Sequence, residues 1–205
     1  MGIYAEQILP RIQDKVMKRQ HNGVVRQRVC ADLVGNVVEV GFGTGLNVPY
    51  YPTAVSKVFA VEPSRVCMRL AEERIAHSRV PVELAGLTGE HLDLDSASFD
   101  AVLSIWTLCT IPGLESALEE MRRVLKPKGT FHFVEHGHAP DVKTARWQRR
   151  IEPLNKKIAG GCHLTRRISQ YVESAGFQIA HLDTYYFEGE PKPFGDTFEG
   201  WAVKT

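Results

Sequence analysis

A run of β-formers that empties into three glycines constrains this chain more than any other feature. Val37-Val38-Glu39-Val40 leads directly into Gly41-Phe42-Gly43-Thr44-Gly45-Leu46-Asn47. A strand feeding a glycine-rich turn lets backbone N–H groups approach a ligand closely, because no Cβ stands between them. The spacing is Gly-x-Gly-x-Gly. It departs from the dinucleotide fingerprint, which places its last glycine one residue later, where Leu46 stands. A second apolar strand, Val58 to Val61, ends in Glu62. A carboxylate at the tip of a second strand can accept hydrogen bonds from both hydroxyls of a ribose.

The rest of the chain continues that rhythm. Strands are expected at 37–41, 57–61, 81–85, 99–105 and 129–135, and helices at 45–52, 64–78 and 114–125. Such alternation implies a mostly parallel sheet with right-handed crossovers and helices on both faces. Apolar alternation at Phe177–Tyr186 and Phe198–Val203 adds an antiparallel C-terminal hairpin, for seven strands in all. Ligands of such sheets sit beyond the carboxyl ends of the strands. Glu39–Gly45, Glu62, His91, Ile105–Thr110 and Glu135–His138 all fall at those ends.

At 205 residues a single domain over 1–205 is expected. A formal net charge of +1 argues against a dedicated nucleic-acid binder. Cys30, Cys67, Cys109 and Cys162 lie far apart with no Cys-x-x-Cys pair, so reduced thiols in a cytoplasmic setting are expected, with neither a disulfide frame nor a zinc site. No apolar run reaches a membrane span, and the first residues lack a signal peptide's apolar core. Residues 1–34 read as helical, with Ile8, Leu9, Ile12, Val16 and Met17 at helical spacing and Pro10 at a break or a first turn. The polar face carries Arg11, Lys15, Lys18, Arg19, Arg26 and Arg28. This segment is a packed helix with a solvated face, a lid, or an interfacial helix making weak peripheral contact with anionic lipid. Residues 139–170, rich in Lys and Arg, form an insertion after the fifth strand, where a substrate cover is expected.

Further segments carry a resemblance. Leu87-Thr88-Gly89-Glu90-His91, then Ser98 to Ile105, then Val124-Leu125-Lys126-Pro127-Lys128-Gly129 follow the glycine loop in order. Together they resemble the class I S-adenosylmethionine-dependent methyltransferases. Ser104 to Ile111, Phe131 to His136, Gly161-Cys162-His163-Leu164-Thr165-Arg166 and Gly200 to Lys204 look like the alkyl thiol S-methyltransferases of the methyltransferase-like group and their bacterial relatives. The mammalian members begin with an apolar anchor, where this chain has an amphipathic helix. The resemblance implies a Rossmann-like fold and S-adenosyl-L-methionine as cofactor. It places Glu39, Gly41, Phe42, Gly43, Gly45 and Asn47 at the methionine end. Glu62 and Pro63 belong to the ribose, Gly89, Glu90 and His91 to the adenine, and Ile105, Trp106 and Leu108 complete the cofactor site.

The acceptor implied is a small, apolar thiol. His136 is the expected base at the end of the fifth strand, with a pKa suited to proton acceptance near neutrality, and Glu135 would orient it or fasten a neighbouring loop. Tyr51, Trp106, Trp147, Cys162 and His163 are the expected substrate-binding residues. His132, His136 and His138 could be read as a metal cluster, but His132 lies back along its strand and no metal is expected. Two rival readings are methyl transfer to oxygen or nitrogen of a quinone, phenol or lipid headgroup, and a non-catalytic S-adenosylmethionine-binding protein. No nucleic acid and no obligate protein partner are expected.

Overall fold

A computed structural model describes residues 2–205. Its centre is a seven-stranded sheet with strand order β3-β2-β1-β4-β5-β7-β6. Strands β1 (Gly35–Val40), β2 (Val55–Val61), β3 (Val82–Gly86), β4 (Phe99–Ile105) and β5 (Leu125–His136) run parallel. Strands β6 (Phe177–Tyr186) and β7 (Asp196–Lys204) pair antiparallel to each other, and β7 to β5. The chain steps outward from β1 to β3, then returns to the other side of β1 for β4. The crevice between β1 and β4 is therefore the switch point at which an open α/β sheet binds its ligand. The fold is the Rossmann-like one expected, with its antiparallel C-terminal hairpin.

Parallel strands are covered on both faces and so read as unbroken apolar runs. Val37, Val38 and Val40 of β1 have almost no exposure, and neither does Glu39 between them. On one side lies α4 (Leu114–Val124), which presents Leu114, Ala117, Leu118, Met121 and Val124 as a single stripe at helical spacing. That stripe packs with Val38, Val102, Phe131 and Phe133. On the other side α2 (Gln20–Cys30) buries Val25, Val29 and Cys30 against Val37, Val58, Ala101 and Leu103. Truncating one such side chain, as in Met121→Ala, costs about 2–5 kcal/mol.

The remaining helices set the rim. A π-helical turn at Tyr4–Ile8 runs into α1 (Leu9–Met17), with Pro10 in its first turn as expected. Helix α3 (Arg65–Ala76) is capped by Ser64, which accepts the Cys67 N–H at 3.2 Å. Helix α5 (Val142–Ile158) is capped by Asp141, which accepts the Thr144 N–H at 2.8 Å. Short helices α6 (Ile168–Ser174) and α7 (Lys192–Gly195) flank the hairpin. The helix expected at 45–52 does not form; only a 3-10 turn at Val48–Tyr50 does. Pro49 and Pro52 have no N–H to donate, and the Asn47 side chain is held by Glu39. Among the described residues no helix is long and apolar enough to cross a membrane.

Candidate active site

A cavity of about 970 Å³ opens at the carboxyl ends of β1, β2, β4 and β5. The glycine loop forms its floor. Gly41, Gly43 and Gly45 take φ values of 80°, 59° and 74°, a region that side-chain-bearing residues rarely adopt. A Cβ on Gly41 would fall 2.1–2.6 Å from the Thr107 side chain. A Cβ on Gly43 would meet nothing closer than the Gly41 carbonyl oxygen at 3.8 Å, so its bare backbone faces open space. Gly45 is off the cavity wall and brings the loop against Ala71 of α3 and Phe42.

Glu62 stands on the wall at the tip of β2 and accepts the N–H groups of Gly43 and Ser64, both at 2.8 Å. One bond per oxygen leaves each with a further lone pair for a ligand hydroxyl. Burial raises its pKa, and the two N–H bonds counter that. Pro63, Gly89, Glu90 and Ile105 share the wall with it. Glu90 accepts the Gly113 N–H at 3.2 Å and the Thr88 hydroxyl, which holds one loop against the next.

Glu39 corrects an expectation. It lies behind the loop and off the cavity wall, fully buried, accepting the Asn47 amide at 2.8 Å and the Tyr51 hydroxyl. Burial pushes its pKa up to about 7, against the hydrogen bonds from Tyr51 and Asn47. Tyr51 is likewise core and not pocket lining. Asn47 does reach the wall and accepts a hydrogen bond from the Arg26 guanidinium of α2.

Arg26 is what sequence reasoning missed. It counts there as one more charge on a solvated face, yet it is 6 % exposed, lines the cavity and lies over the Trp106 ring at 4.9 Å. Asp14 of α1 was missed too. It lines the cavity, accepts the Thr44 hydroxyl at 2.6 Å, and pairs with Lys18 at 2.7 Å and Arg74 at 3.0 Å. Nothing in the spacing of α1 and α2 separates these two from their exposed neighbours.

Trp106 follows directly after β4 with φ at 52°, a conformation costing a non-glycine residue about 1–2 kcal/mol. Residues held this way cluster where function demands them. Its indole stacks on His136, ring centroids 6.4 Å apart, and both rings line the cavity. Burial lowers the His136 pKa to about 4, below the near-neutral value expected of a base. The ring is thus neutral at physiological pH. Glu135 points away and is not a catalytic group. It accepts the N–H groups of Thr107, Leu108 and Cys109 at 2.7, 2.8 and 3.3 Å, fastening the loop after β4. Leu108 is buried core beneath that loop, off the cavity wall.

Three expected residues lie elsewhere. Trp147 is half exposed on the outer face of α5, under Arg150. His163 faces Glu152, 3.6 Å away, outside the cavity, because the turn after α5 reverses there. His91 is exposed and off the cavity wall, its neighbourhood closed by a bridge with Thr88. Cys162 is on the wall, joined by Cys109 and the Ala159–Gly161 turn. From residues 139–170 only this turn and Lys156–Lys157 reach the cavity. His132 sits back on β5 with its ring against Trp201 and Nε2 3.0 Å from the Thr130 hydroxyl.

The cavity fits S-adenosylmethionine. Arg26 Nε, Trp106 Nε1 and His136 Nδ1 are buried polar atoms without a protein partner, and all three residues line it. Buried orphans of this kind are rare in folded proteins, and a polar ligand would satisfy them. A methyltransferase-domain family model matches residues 38–133. Thiol S-methyltransferase TMT1B of Rattus norvegicus is 35 % identical over 181 residues, covering 82 % of this chain and 70 % of the relative.

This chain belongs to the class I S-adenosylmethionine-dependent methyltransferases, among the relatives of the thiol S-methyltransferases.

The methyltransferase is also similar to the thiol S-methyltransferase TMT1B of Homo sapiens, at 31 % identity over 82 % of this chain and 70 % of the relative. In fold it matches an S-adenosylmethionine-dependent methyltransferase from Thermotoga maritima with a TM-score of 0.70 at 21 % identity, over 99 % of both chains. Another from Aquifex aeolicus gives a TM-score of 0.65 at 17 % identity, over 96 % of this chain and 98 % of that one.

Proposed function

We propose that this methyltransferase delivers its methyl group to the sulfur of a small, apolar thiol. The observation that carries the reading is the wall where Trp106, His136, Cys109 and Cys162 line one cavity. Those four side chains carry no charge, and the imidazole among them is neutral. The similarity to thiol S-methyltransferases points the same way.

In this reading Glu62 holds the ribose and Gly89–Glu90 the adenine. Gly41, Gly43 and Asn47 receive the methionine end, with the Arg26 guanidinium taking its carboxylate. Bound there, S-adenosylmethionine supplies an electrophilic methyl on a sulfonium. The protein's part is to align the thiol and exclude water, mostly a proximity effect. A neutral His136 brings no like charge toward the sulfonium. Its pKa of about 4 makes full deprotonation of a thiol of pKa about 8.5 uphill by roughly 6 kcal/mol. His136 therefore acts as a hydrogen-bond acceptor that orients the S–H, and it takes the proton as the S–C bond forms and the sulfur becomes acidic.

The test supplies labelled S-adenosylmethionine with an alkanethiol, a phenol or phosphatidylethanolamine. Transfer to the thiol is expected; label only on oxygen or nitrogen would sink the reading. The amine arm is included because a phosphatidylethanolamine N-methyltransferase of Cereibacter sphaeroides is 33 % identical over 104 residues, half of each chain. Peripheral membrane contact is part of the proposal. Ile3, Ile8 and Ile12 are exposed beside Arg11 and Lys15, and the Tyr4 hydroxyl ties this segment to the Ile158 carbonyl at 2.8 Å. Sedimentation with vesicles containing phosphatidylserine would show it, and no binding to such vesicles would remove it.

A further inference from the structure

Two of the four cysteines lie together at the cavity, and methyl transfer draws only on their apolar surface, not on the chemistry of their thiols. Cys109 comes from the loop after β4 and Cys162 from the turn after α5. The His163 N–H donates to the Cys109 carbonyl at 2.8 Å, which sets the two segments side by side. The two thiols share an apolar nest with Leu164, Ile151 and Ala159. Both residues line the cavity, Cys162 being the more exposed of the two. Each segment is anchored. Glu135 holds the Cys109 N–H, and the Asn155 amide of α5 donates to the Cys162 carbonyl at 2.9 Å. Gly160 and Gly161, at φ 64° and 89°, give the turn its reversal.

We propose that Cys109 and Cys162 form a thiol–disulfide exchange site that takes small apolar disulfides, the oxidised form of the acceptor class. The step balances without a further reactant. The Cys162 thiolate attacks one sulfur of R–S–S–R, forming a mixed disulfide and expelling RS⁻. Cys109 then gives up its proton and attacks the Cys162 sulfur, expelling the second RS⁻. The cysteine pair is oxidised by two electrons, the disulfide is reduced by two, and the two protons end on the released thiols. The order of attack follows from exposure: Cys162 is 8 % exposed and Cys109 2 %, so an entering disulfide meets the Cys162 sulfur first. The thiols are released into the cavity where methyl is delivered, so an oxidised acceptor becomes a usable one in place. Only the identity of the natural disulfide rests on the thiol-acceptor reading; the exchange does not.

The experiment treats the full chain with diethyl disulfide, without other reductant, and reads intact mass, peptide maps and released thiol. The expected result is a loss of two hydrogens, a peptide linking Cys109 to Cys162, two thiols released per chain, and reversal by dithiothreitol. In Cys109→Ser a stable ethylthio adduct should collect on Cys162. An unchanged wild-type mass overturns the proposal, as does adduct on Cys30 or Cys67 with the pair untouched. The wild-type measurement stands even if the variant does not fold. Should labelled methyl go only to oxygen or nitrogen acceptors, these masses still decide the exchange separately.

Discussion

Glu135→Gln probes how the loop after β4 is held. Three backbone N–H groups, from Thr107, Leu108 and Cys109, converge on this fully buried carboxyl. Glutamine keeps the oxygen that accepts the first two, at 2.7 and 2.8 Å. It replaces the other, which accepts the Cys109 N–H at 3.3 Å, with an amide nitrogen that has no lone pair to offer. One buried donor is left facing another, a cost of about 1–3 kcal/mol. For a chain of this size that corresponds to a fall in melting temperature of roughly 3–10 °C. Alanine would orphan all three donors, costing roughly 3–9 kcal/mol against a total stability of about 5–15 kcal/mol. It is the poorer probe for that reason. Burial holds the Glu135 pKa up at about 7, above its ordinary value of 4.5. The folded chain thus binds this proton more tightly than the unfolded one, and wild-type stability from this group falls as pH rises from 4.5 through 7. Glutamine does not titrate, so its deficit should be larger at pH 5 than at pH 8. Calorimetric melting at both pH values, with turnover measured alongside, checks the argument. A variant with wild-type melting and turnover would refute the anchoring role, and a deficit that widens toward pH 8 would refute the titration.

Glu62→Ala should weaken S-adenosylhomocysteine binding at least tenfold, about 1.4 kcal/mol, in calorimetric titration while the fold survives; unchanged affinity would remove the ribose assignment. Arg26→Met should cost a similar factor for the same ligand and nothing for a thioadenosine analogue that lacks the amino-acid end, so equal losses on both would show that Arg26 does not meet the carboxylate. His136→Asn should lower turnover more than cofactor affinity. Because burial lowers the His136 pKa from 6.5 to about 4, the folded chain resists charging it, and its contribution to stability is present above pH 6.5 and lost as pH falls toward 4. The wild-type rate should accordingly show no inflection from this ring between pH 5 and 8; a rate step in that window that vanishes in the variant would contradict the assignment.

Much of this protein is written locally. Val37–Val40, the three glycines and Glu62 at the next strand end are short-range features, and backbone sterics turn them into a strand, a left-handed loop and a carboxylate at the crevice. The hairpin of β6 and β7 is legible for the same reason, since strand alternation survives without its neighbours. The helix expected at 45–52 was lost to two prolines and to Asn47's bond to Glu39.

What tertiary structure alone decided is the direction in which each polar group points. Glu39 and Glu135 are both acids on buried strands, and sequence reads them as parts of the site. In the fold their oxygens are taken by Asn47 and Tyr51 in one case and by loop N–H groups in the other. Arg26, one charge among many along its helix, is turned inward by the packing of α2 on β1 and faces the cavity. Trp147 is turned outward on α5. Periodicity marks which side of an element is apolar, whereas the partner of a buried polar atom comes from a segment distant in the chain. Cys109 and Cys162, more than fifty residues apart and sharing one wall, are brought together by that long-range packing alone.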